Sequence, residues 1–551
     1  MSKTEDALIK EKELLSSVAN KGTGAKLKAY SKLCGPGWLQ SAITLGGGSL
    51  VGALGVGVIG GLNFMWVQPL AMILGIIMLS AIAYVTLSTG ERPFRSINKH
   101  ISPFLGWAWL GATIVANLVW VLPQFNLAFG AIATNLAPGV FPETTGSKLL
   151  ISAIVLAIAT TIIWSYGAGS KGVARFELLL KILVGLVVIS FIGVVIVLTF
   201  AANSPLNWAN VISGLMPDFG ALFRPSETFL PYIDQLDPID RDKWTADIIG
   251  RQRDNIIAAF GTTVGINMTF LLPYSMLRRK WGKEHRGLAI FDLSTGLFIP
   301  FVIATGCLVI AAASQFHGNM ENNKFENSAS LVEQLTEKEK STLSSEEKSD
   351  KLEAIYIAMP SKEKANATLE MMTAKRNQFE LANALKPFTG NLFSQYVFGI
   401  GVLAMAVSTI VILMLINGFA VCEMLGVPDG GVPHRVGCLI VGGIGFFGPL
   451  AWGELGPWLA IPVSVFGMTL LPIAYITFLL MMNSKSLLGD RRPEGSSLLR
   501  WNILMIIATT VATLGAGWAS YGKIGWWGPG LILIFGILAL LTRQKTISNT
   551  N

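Results

Sequence analysis

The sequence predicts an all-α polytopic membrane protein with about twelve transmembrane helices. Three observations carry that prediction. Charged residues are only 14% of the 551 positions, and hydrophobic residues are 52%, whereas a soluble domain carries about 25% charged residues. Apolar runs long enough to cross a hydrocarbon core recur along nearly the whole chain, each needing about 20 residues as a helix. The 58 glycines and 15 tryptophans suit close helix contact in lipid and the membrane–water interfaces.

The elements follow in order. Residues 1–34 form a polar, Lys-rich tail, unlike a cleavable signal peptide. Predicted spans then lie at 36–60, 63–89, 104–135, 149–167 and 173–201, a first half covering 35–201. An external loop takes 202–254. A second half, 255–482, holds spans at 255–277, 289–315, 390–422, 435–452 and 457–482, with an external insertion at 317–388. The last part, 483–551, carries spans at 501–520 and 525–542 and a C-terminal tail.

Basic residues set the orientation. With the N-terminus inside, the inner segments hold Lys26, Lys28, Lys32, Arg92, Arg95, Lys99, Lys171 and Arg175, and later Arg278, Arg279, Lys280, Arg491 and Arg492. The short outer loops Gly61–Leu62, Pro138–Ser147 and Gly453–Gly456 are nearly uncharged. Both termini are therefore expected in the cytoplasm of a cell-membrane protein. The net charge of +8 reflects these loops, so a nucleic-acid partner is not expected; the expected partners are the lipid bilayer and a small inorganic ion or other small solute. The outer loop 202–254 gathers acids, among them Asp218, Asp234, Asp237 and Asp240, which draw cations by their field. The insertion balances Lys and Glu and reads as a helical surface cap.

Two spans are interrupted. The first contains Gly46, Gly47, Gly48 and Ser49; the sixth contains Thr263, Gly265, Asn267 and Thr269, with Pro273 a turn later. Consecutive glycines weaken a helix by about 1 kcal/mol each relative to Ala. If the two five-helix halves are inverted repeats, spans 1 and 6 are equivalent, and paired interruptions there point to a transporter binding site. Close packing of Gly-rich helices is the competing explanation for each break alone. Gln124 and Asn126 in the third span and Ser464 in the tenth complete the candidate solute-binding set. Cys34, Cys307, Cys422 and Cys438 form no CxxC pair, which argues against a disulfide framework or thiolate metal site. His100, His285, His317 and His434 fall in loops or at helix ends. Glu177 and Asp292 are expected as cytoplasmic ion pairs with Arg175, Lys181 or Arg286, and Glu423 as an interfacial acid. No GxxxxGK[ST] loop and no catalytic constellation is present, so neither an ATP-driven pump nor an enzyme is expected, and no cofactor is called for.

From Gly35 to Gly489 the chain resembles the Nramp family of divalent-metal transporters, which share the leucine-transporter (LeuT) fold. Gly35-Pro36-Gly37-Trp38-Leu39 is similar to the family's first-helix opening, and Gly172-Val173-Ala174-Arg175-Phe176-Glu177 to its fifth-helix entry. Arg286 through Asp292 to Ala311-Ala312-Ala313 resembles its seventh helix, Ile400-Gly401-Val402-Leu403-Ala404 with Ser408-Thr409-Ile410 its eighth, and Leu471-Pro472-Ile473-Ala474 its tenth. The resemblance implies a LeuT-type fold, a 5+5 inverted repeat plus two extra helices. It also implies secondary-active transport of an inorganic divalent cation by alternating access.

The family's metal motifs are replaced. Its Asp-Pro-Gly-Asn stands here as Gly46-Gly47-Gly48-Ser49, and its Met-Pro-His as Gly265-Ile266-Asn267. The family's ligand positions therefore fall on Gly46, Ser49 and Gly265, its third-helix acidic pair on Pro123 and Asn126, and a polar tenth-helix position on Ser464. Without carboxylate, imidazole or sulfur ligands, a site binds transition metals weakly. A widened neutral site suits Mg²⁺, which keeps several waters. The alternatives are transport of small neutral or zwitterionic organic solutes, and a non-transporting membrane sensor. The sensor reading calls for an output domain, and the chain ends shortly after its last span.

Overall fold

A computed structural model describes residues 3–18, 20–33, 35–166, 169–200, 206–320 and 322–543. The side chains of 3–8, 166–171, 173–174, 389, 391, 393–394, 453–462 and 464–465 lie outside that description. Two tail helices, α1 (Lys3–Val18) and α2 (Thr23–Tyr30), precede the first span. That span is two helices, α3 (Pro36–Thr44) and α4 (Gly47–Gly60), and α5 (Val67–Thr89) is the second span. After the short α6 (Pro93–His100), the third span is α7 (Pro103–Gly130), extended by a π-helical stretch to Leu136. The fourth and fifth are α8 (Thr145–Tyr166) and α9 (Gly169–Thr199).

Two short helices, α10 (Trp208–Ser213) and α11 (Leu230–Ile233), lead to the sixth span, again two helices, α12 (Pro238–Thr263) and α13 (Ile266–Arg278). The seventh is α14 (Arg286–Asp292) and α15 (Ile299–Phe316), joined by a π-helical stretch. The insertion holds α16 (Ala329–Val332), α17 (Glu337–Thr342), α18 (Ser345–Ala358), α19 (Ser361–Thr373) and α20 (Gln378–Leu392). Then come α21 (Phe398–Leu425), α22 (Val432–Phe446), α23 (Gly448–Asn483), the single turn α24 (Lys485–Leu488), α25 (Gly495–Ile524) and α26 (Trp527–Leu541). Eleven helical segments among the described residues are long and apolar enough to cross a membrane, and α26 is a shorter apolar helix. The chain is an integral, multi-pass membrane protein.

Three boundaries differ from expectation. The sixth span starts 17 residues earlier than 255, because α12 begins at Pro238. Pro at the first position of a helix loses no hydrogen bond, and the polar Asp- and Arg-rich first turns then project the helix beyond the apolar zone. The ninth and tenth spans part at Phe447 rather than at Gly453–Gly456, since α23 starts at Gly448-Pro449 and runs through those residues. At the first break only Leu45 and Gly46 leave the helix; Gly47, Gly48 and Ser49 are the opening turn of α4.

Packing separates two groups of helices. α7, α8, α21 and α22 pack on one another, and α3, α4, α5, α12 and α13 form a second group against them. Buried aromatic rings stitch the groups together: Trp109 lies 4.8 Å from Phe270 and 5.7 Å from Phe478, ring centre to ring centre. Such pairs stabilise by about 0.5–1.5 kcal/mol beyond their burial. The two long segments between spans 5 and 6 and between spans 7 and 8 share a core of their own. Phe229, Ile233 and Ile248 pack with Ala365, Leu369 and Met372, so the loop and the insertion make one cap, with α19 and α20 resting on α4 and α15.

Candidate functional site

The break in span 1 and the break in span 6 face each other. α3 ends at Thr44 and α12 at Thr263, so two helix C-termini deliver carbonyl oxygens and partial negative charge to one place. α4 and α13 restart there, at Gly47 and Ile266. Two contacts cross between the spans: Ser49 Oγ donates to the Thr262 carbonyl at 3.3 Å, and Thr44 Oγ1 lies 3.0 Å from Met268 Sδ. Ser49 Oγ also donates to the Thr44 carbonyl, which closes the first break on itself.

The third span supplies one wall. Gln124 Oε1 accepts from the Gly47 amide at 3.0 Å. Asn117 Oδ1 accepts from Asn267 Nδ2 at 3.4 Å, and the Trp109 indole donates to Thr269 Oγ1 at 2.8 Å. Trp120 lies against Gly265, where a Cβ would sit 2.6 Å from the indole ring. Asn117, Trp120 and Gln124 are spaced i, i+3, i+7, one face of a helix. The eighth span closes the opposite side: Thr409 Oγ1 donates to the Ala42 carbonyl at 3.4 Å, and a Cβ on Gly46 would fall on that hydroxyl. Gly46 and Gly265 are glycines because the backbone touches a neighbouring helix there.

Of the predicted residues, the structure brings Gly46, Gly47, Ser49, Gln124, Gly265, Asn267 and Thr269 together. Thr263 is buried beside them, but its hydroxyl is spent on the Ala259 carbonyl. Gly48 is exposed, on the face of α4 turned toward Thr262. Asn126 is half-buried on α7, and no hydrogen bond joins it to either break among the described residues. The side chain of Ser464 lies outside the described residues. Sequence reasoning passed over Thr44, Asn117, Trp120, Thr262, Met268 and Thr409. Their signal was a polar or sulfur atom inside an apolar run, which acquires meaning only once the neighbouring helix is known. Among the described residues, no group of three His, Cys, Asp or Glu side chains forms a metal-ligating cluster. Met268 nevertheless brings a neutral sulfur to a site expected to have none.

The end nearest the N-terminal tail is tied shut by charge, with partners other than those expected. Glu177 pairs with Arg279, the residue after α13, rather than with Arg175 or Lys181. The Asp292 carboxylate accepts from the Gly35 and Gly37 amides at 3.0 and 2.6 Å, holding the start of α3; a carboxylate there also complements the helix dipole. Glu423, in the last turn of α21, is buried in the protein and pairs with Arg92 at 2.5 Å, while Asp429 receives Arg92 at 3.2 Å and Arg278 at 3.4 Å. At the other end, His317 joins the cap to span 1: its Nδ1 lies 2.9 Å from the Val58 carbonyl and its Nε2 2.8 Å from Thr228 Oγ1. The break residues Ser49, Thr263, Asn267 and Thr269 are each at most 2% exposed, while Gly48 beside them is exposed.

A family model described as natural resistance-associated macrophage protein-like matches residues 37–343 and 364–517. Among solved structures, the chain is similar to a manganese transporter of Eremococcus coleocola in complex with an aromatic bis-isothiourea compound. That match has 13% identity and a TM-score of 0.60, covering 95% of this chain and 93% of the other. Two mutant structures of the same transporter match with TM-scores of 0.59 and 0.58 at 13% identity and the same coverage. At that identity the likeness shows the fold, which is the predicted LeuT-type arrangement. No curated protein matches the chain.

Proposed function

Because the chain belongs to the natural resistance-associated macrophage protein-like family, whose members are transporters and not enzymes, we propose that it is a secondary-active transporter of a divalent metal cation. The ion binds at the facing breaks of spans 1 and 6 and crosses by alternating access. The observation that carries this reading is the meeting of two interrupted helices whose C-terminal carbonyls converge beside Thr44, Thr262 and Gly265. Irregular backbone at membrane depth is tolerated only where it is buried in protein or lines a cavity.

The ligands are neutral oxygens: carbonyls, the Ser49 hydroxyl, and the carboxamides of Gln124 and Asn267, with the Met268 thioether beside them. Such a set does not offset a dehydrated double charge, and it suits an ion that retains water, such as Mg²⁺. The N-terminal tail and the Arg279–Glu177 and Arg92–Glu423 pairs are cytoplasmic in this reading, and the cap is external. α3, α4, α12 and α13 rock against α7, α8, α21 and α22, with Leu45–Gly46 and Val264–Gly265 as hinges.

The test is a thermal-shift series on the purified protein with Mg²⁺, Mn²⁺, Ca²⁺ and a panel of amino acids. A ligand selective for the folded state stabilises by about 2.7 kcal/mol at a hundredfold excess over Kd. The expected result is a rise in Tm with millimolar Mg²⁺ that the Gly47→Leu variant loses, because a side chain there meets Gln124 and Leu127 at about 3.1 Å. A shift with an amino acid and none with any cation would move the assignment to organic solutes. No shift at all would favour the sensor reading.

A further inference from the structure

Beyond the breaks, the outer half of span 1 turns a glycine face toward span 6. Gly48, Gly52 and Gly55 of α4 are spaced i, i+4, i+7, and α12 answers with Asn255, Ala259 and Thr262 at the same spacing. A Cβ on Gly48 would lie 3.3 Å from Thr262 Cγ2, and one on Gly52 would lie 3.2 Å from Thr262 Oγ1 and 3.9 Å from Gln68 Nε2. At Gly55 the Asn255 carboxamide oxygen presses directly on the helix backbone. A glycine face alone is a packing surface.

Gln68 makes it more than that. It is the second residue of α5, is 1% exposed, and neither its amide nitrogen nor its amide oxygen has a hydrogen-bond partner among the described residues. An unsatisfied buried carboxamide costs about 1–3 kcal/mol per group, so an apolar residue there would make a more stable protein. The Thr262 hydroxyl donates to the Ala258 and Ala259 carbonyls at 2.9 and 3.3 Å, which leaves its lone pairs free to accept or to ligate. Gln68 and Thr262 thus both face Gly52, one turn beyond Ser49.

We propose that Gln68 and Thr262 form an outer subsite that receives the partly hydrated divalent cation before it reaches the breaks. This rests on the transport reading above. The Gln68 amide nitrogen is the atom now turned toward Gly52; when α4 and α12 part on the outer side, the carboxamide turns over, and its oxygen and the hydroxyl of Thr262 replace waters of the hydration shell. The glycine face lets the remaining waters pass along the backbone. The subsite is neutral, like the breaks, so it binds the ion weakly enough to release it inward.

The experiment measures Mg²⁺ uptake and Tm for the full chain, wild type against Gln68→Leu and Gln68→Met; methionine keeps the length of the side chain without the carboxamide. Both variants are expected to melt at or above the wild-type temperature. Both should raise the Mg²⁺ concentration for half-maximal uptake about tenfold, the loss of one hydrogen-bond-strength contact to a charged group. Uptake curves that superpose on a transporting wild type overturn the subsite and leave the transport reading intact. Variants that melt well below wild type show that the amide has a structural partner, and this also overturns the subsite. A wild type that takes up neither Mg²⁺ nor Mn²⁺ overturns the transport reading and the subsite with it.

Discussion

Replacing Gly46 by alanine asks whether the first break is shaped by the eighth span. The added methyl would land on the Thr409 hydroxyl and lie 3.1 Å from the Ile43 carbonyl. Thr409 is β-branched, 4% exposed, and held by its bond to the Ala42 carbonyl, so it has little freedom to move aside. Overpacking of this kind costs about 1–3 kcal/mol. Gly48→Ala is the control. Its methyl meets only Thr262 Cγ2, at 3.3 Å, and in the opening turn of α4 alanine gains up to about 1 kcal/mol of helix propensity. Gly46→Ala should therefore lower Tm and transport while Gly48→Ala holds Tm near wild type. The hardest clash is with the Thr409 hydroxyl, so Thr409→Ala should rescue much of the loss in Gly46→Ala, whereas Thr409→Val, which keeps the volume, should not. In a double-mutant cycle of Tm and uptake, residues in contact couple by about 0.5–3 kcal/mol. Additive effects in the Thr409→Ala cycle, or a Gly48→Ala as damaging as Gly46→Ala, would refute the geometry.

Further outcomes follow from other contacts. Glu177→Gln removes the charge that holds Arg279, so the end of α13 should loosen; hydrogen exchange at residues 274–280 should rise and stability should fall by less than the roughly 3–5 kcal/mol typical of a fully buried pair. His317 lies beyond the end of α15, and burial lowers its pKa from the ordinary 6.5. The folded state then holds it neutral, so stability is full above pH 6.5 and declines as pH falls below that toward the lowered folded value. Exchange at Val58–Gly61 and across the cap should increase over that window, and His317→Gln should flatten the dependence. Glu339 in the cap is brought down to about 2 by Lys351 and by the Thr336 cap, so its contribution is full above the ordinary 4.5 and should be lost progressively as pH falls from there toward about 2; a carboxyl NMR titration reads the folded value. Met268→Leu, a near volume-conserving change, should leave Mg²⁺ uptake within about twofold of wild type if the retained waters and oxygens do the binding; a selective loss of Mn²⁺ uptake would instead show that the sulfur ligates.

Much of this fold was legible in the sequence, because burial in lipid forces long apolar runs and basic loops at the spans. The interruptions were legible as well, since glycine and polar residues break an apolar helix visibly. Their extent was not. Three of the four residues in Gly46–Ser49 are helical, because a helix needs only one or two non-helical residues to restart, and Gly47 is held in the new helix by Gln124. The partners across the breaks were hidden for a different reason. Asn117, Thr409 and Met268 are separated from Gly46 by tens to hundreds of positions, and nothing local in their apolar runs marks the face they present. The acids were misassigned on the same ground: Glu177 and Asp292 were matched to nearby basic residues, while the fold delivers Arg279 and the amides of Gly35 and Gly37.

The measurement that tests the central claim most directly is Mg²⁺ and Mn²⁺ uptake into proteoliposomes, followed with an entrapped indicator, for the wild type and Gly46→Ala side by side. The account predicts saturable Mg²⁺ uptake by the wild type, exceeding that of Mn²⁺, and its loss in the variant despite normal insertion. Equal uptake by both proteins would contradict the placement of the site at the facing breaks, and no uptake of either ion by the wild type would contradict cation transport itself.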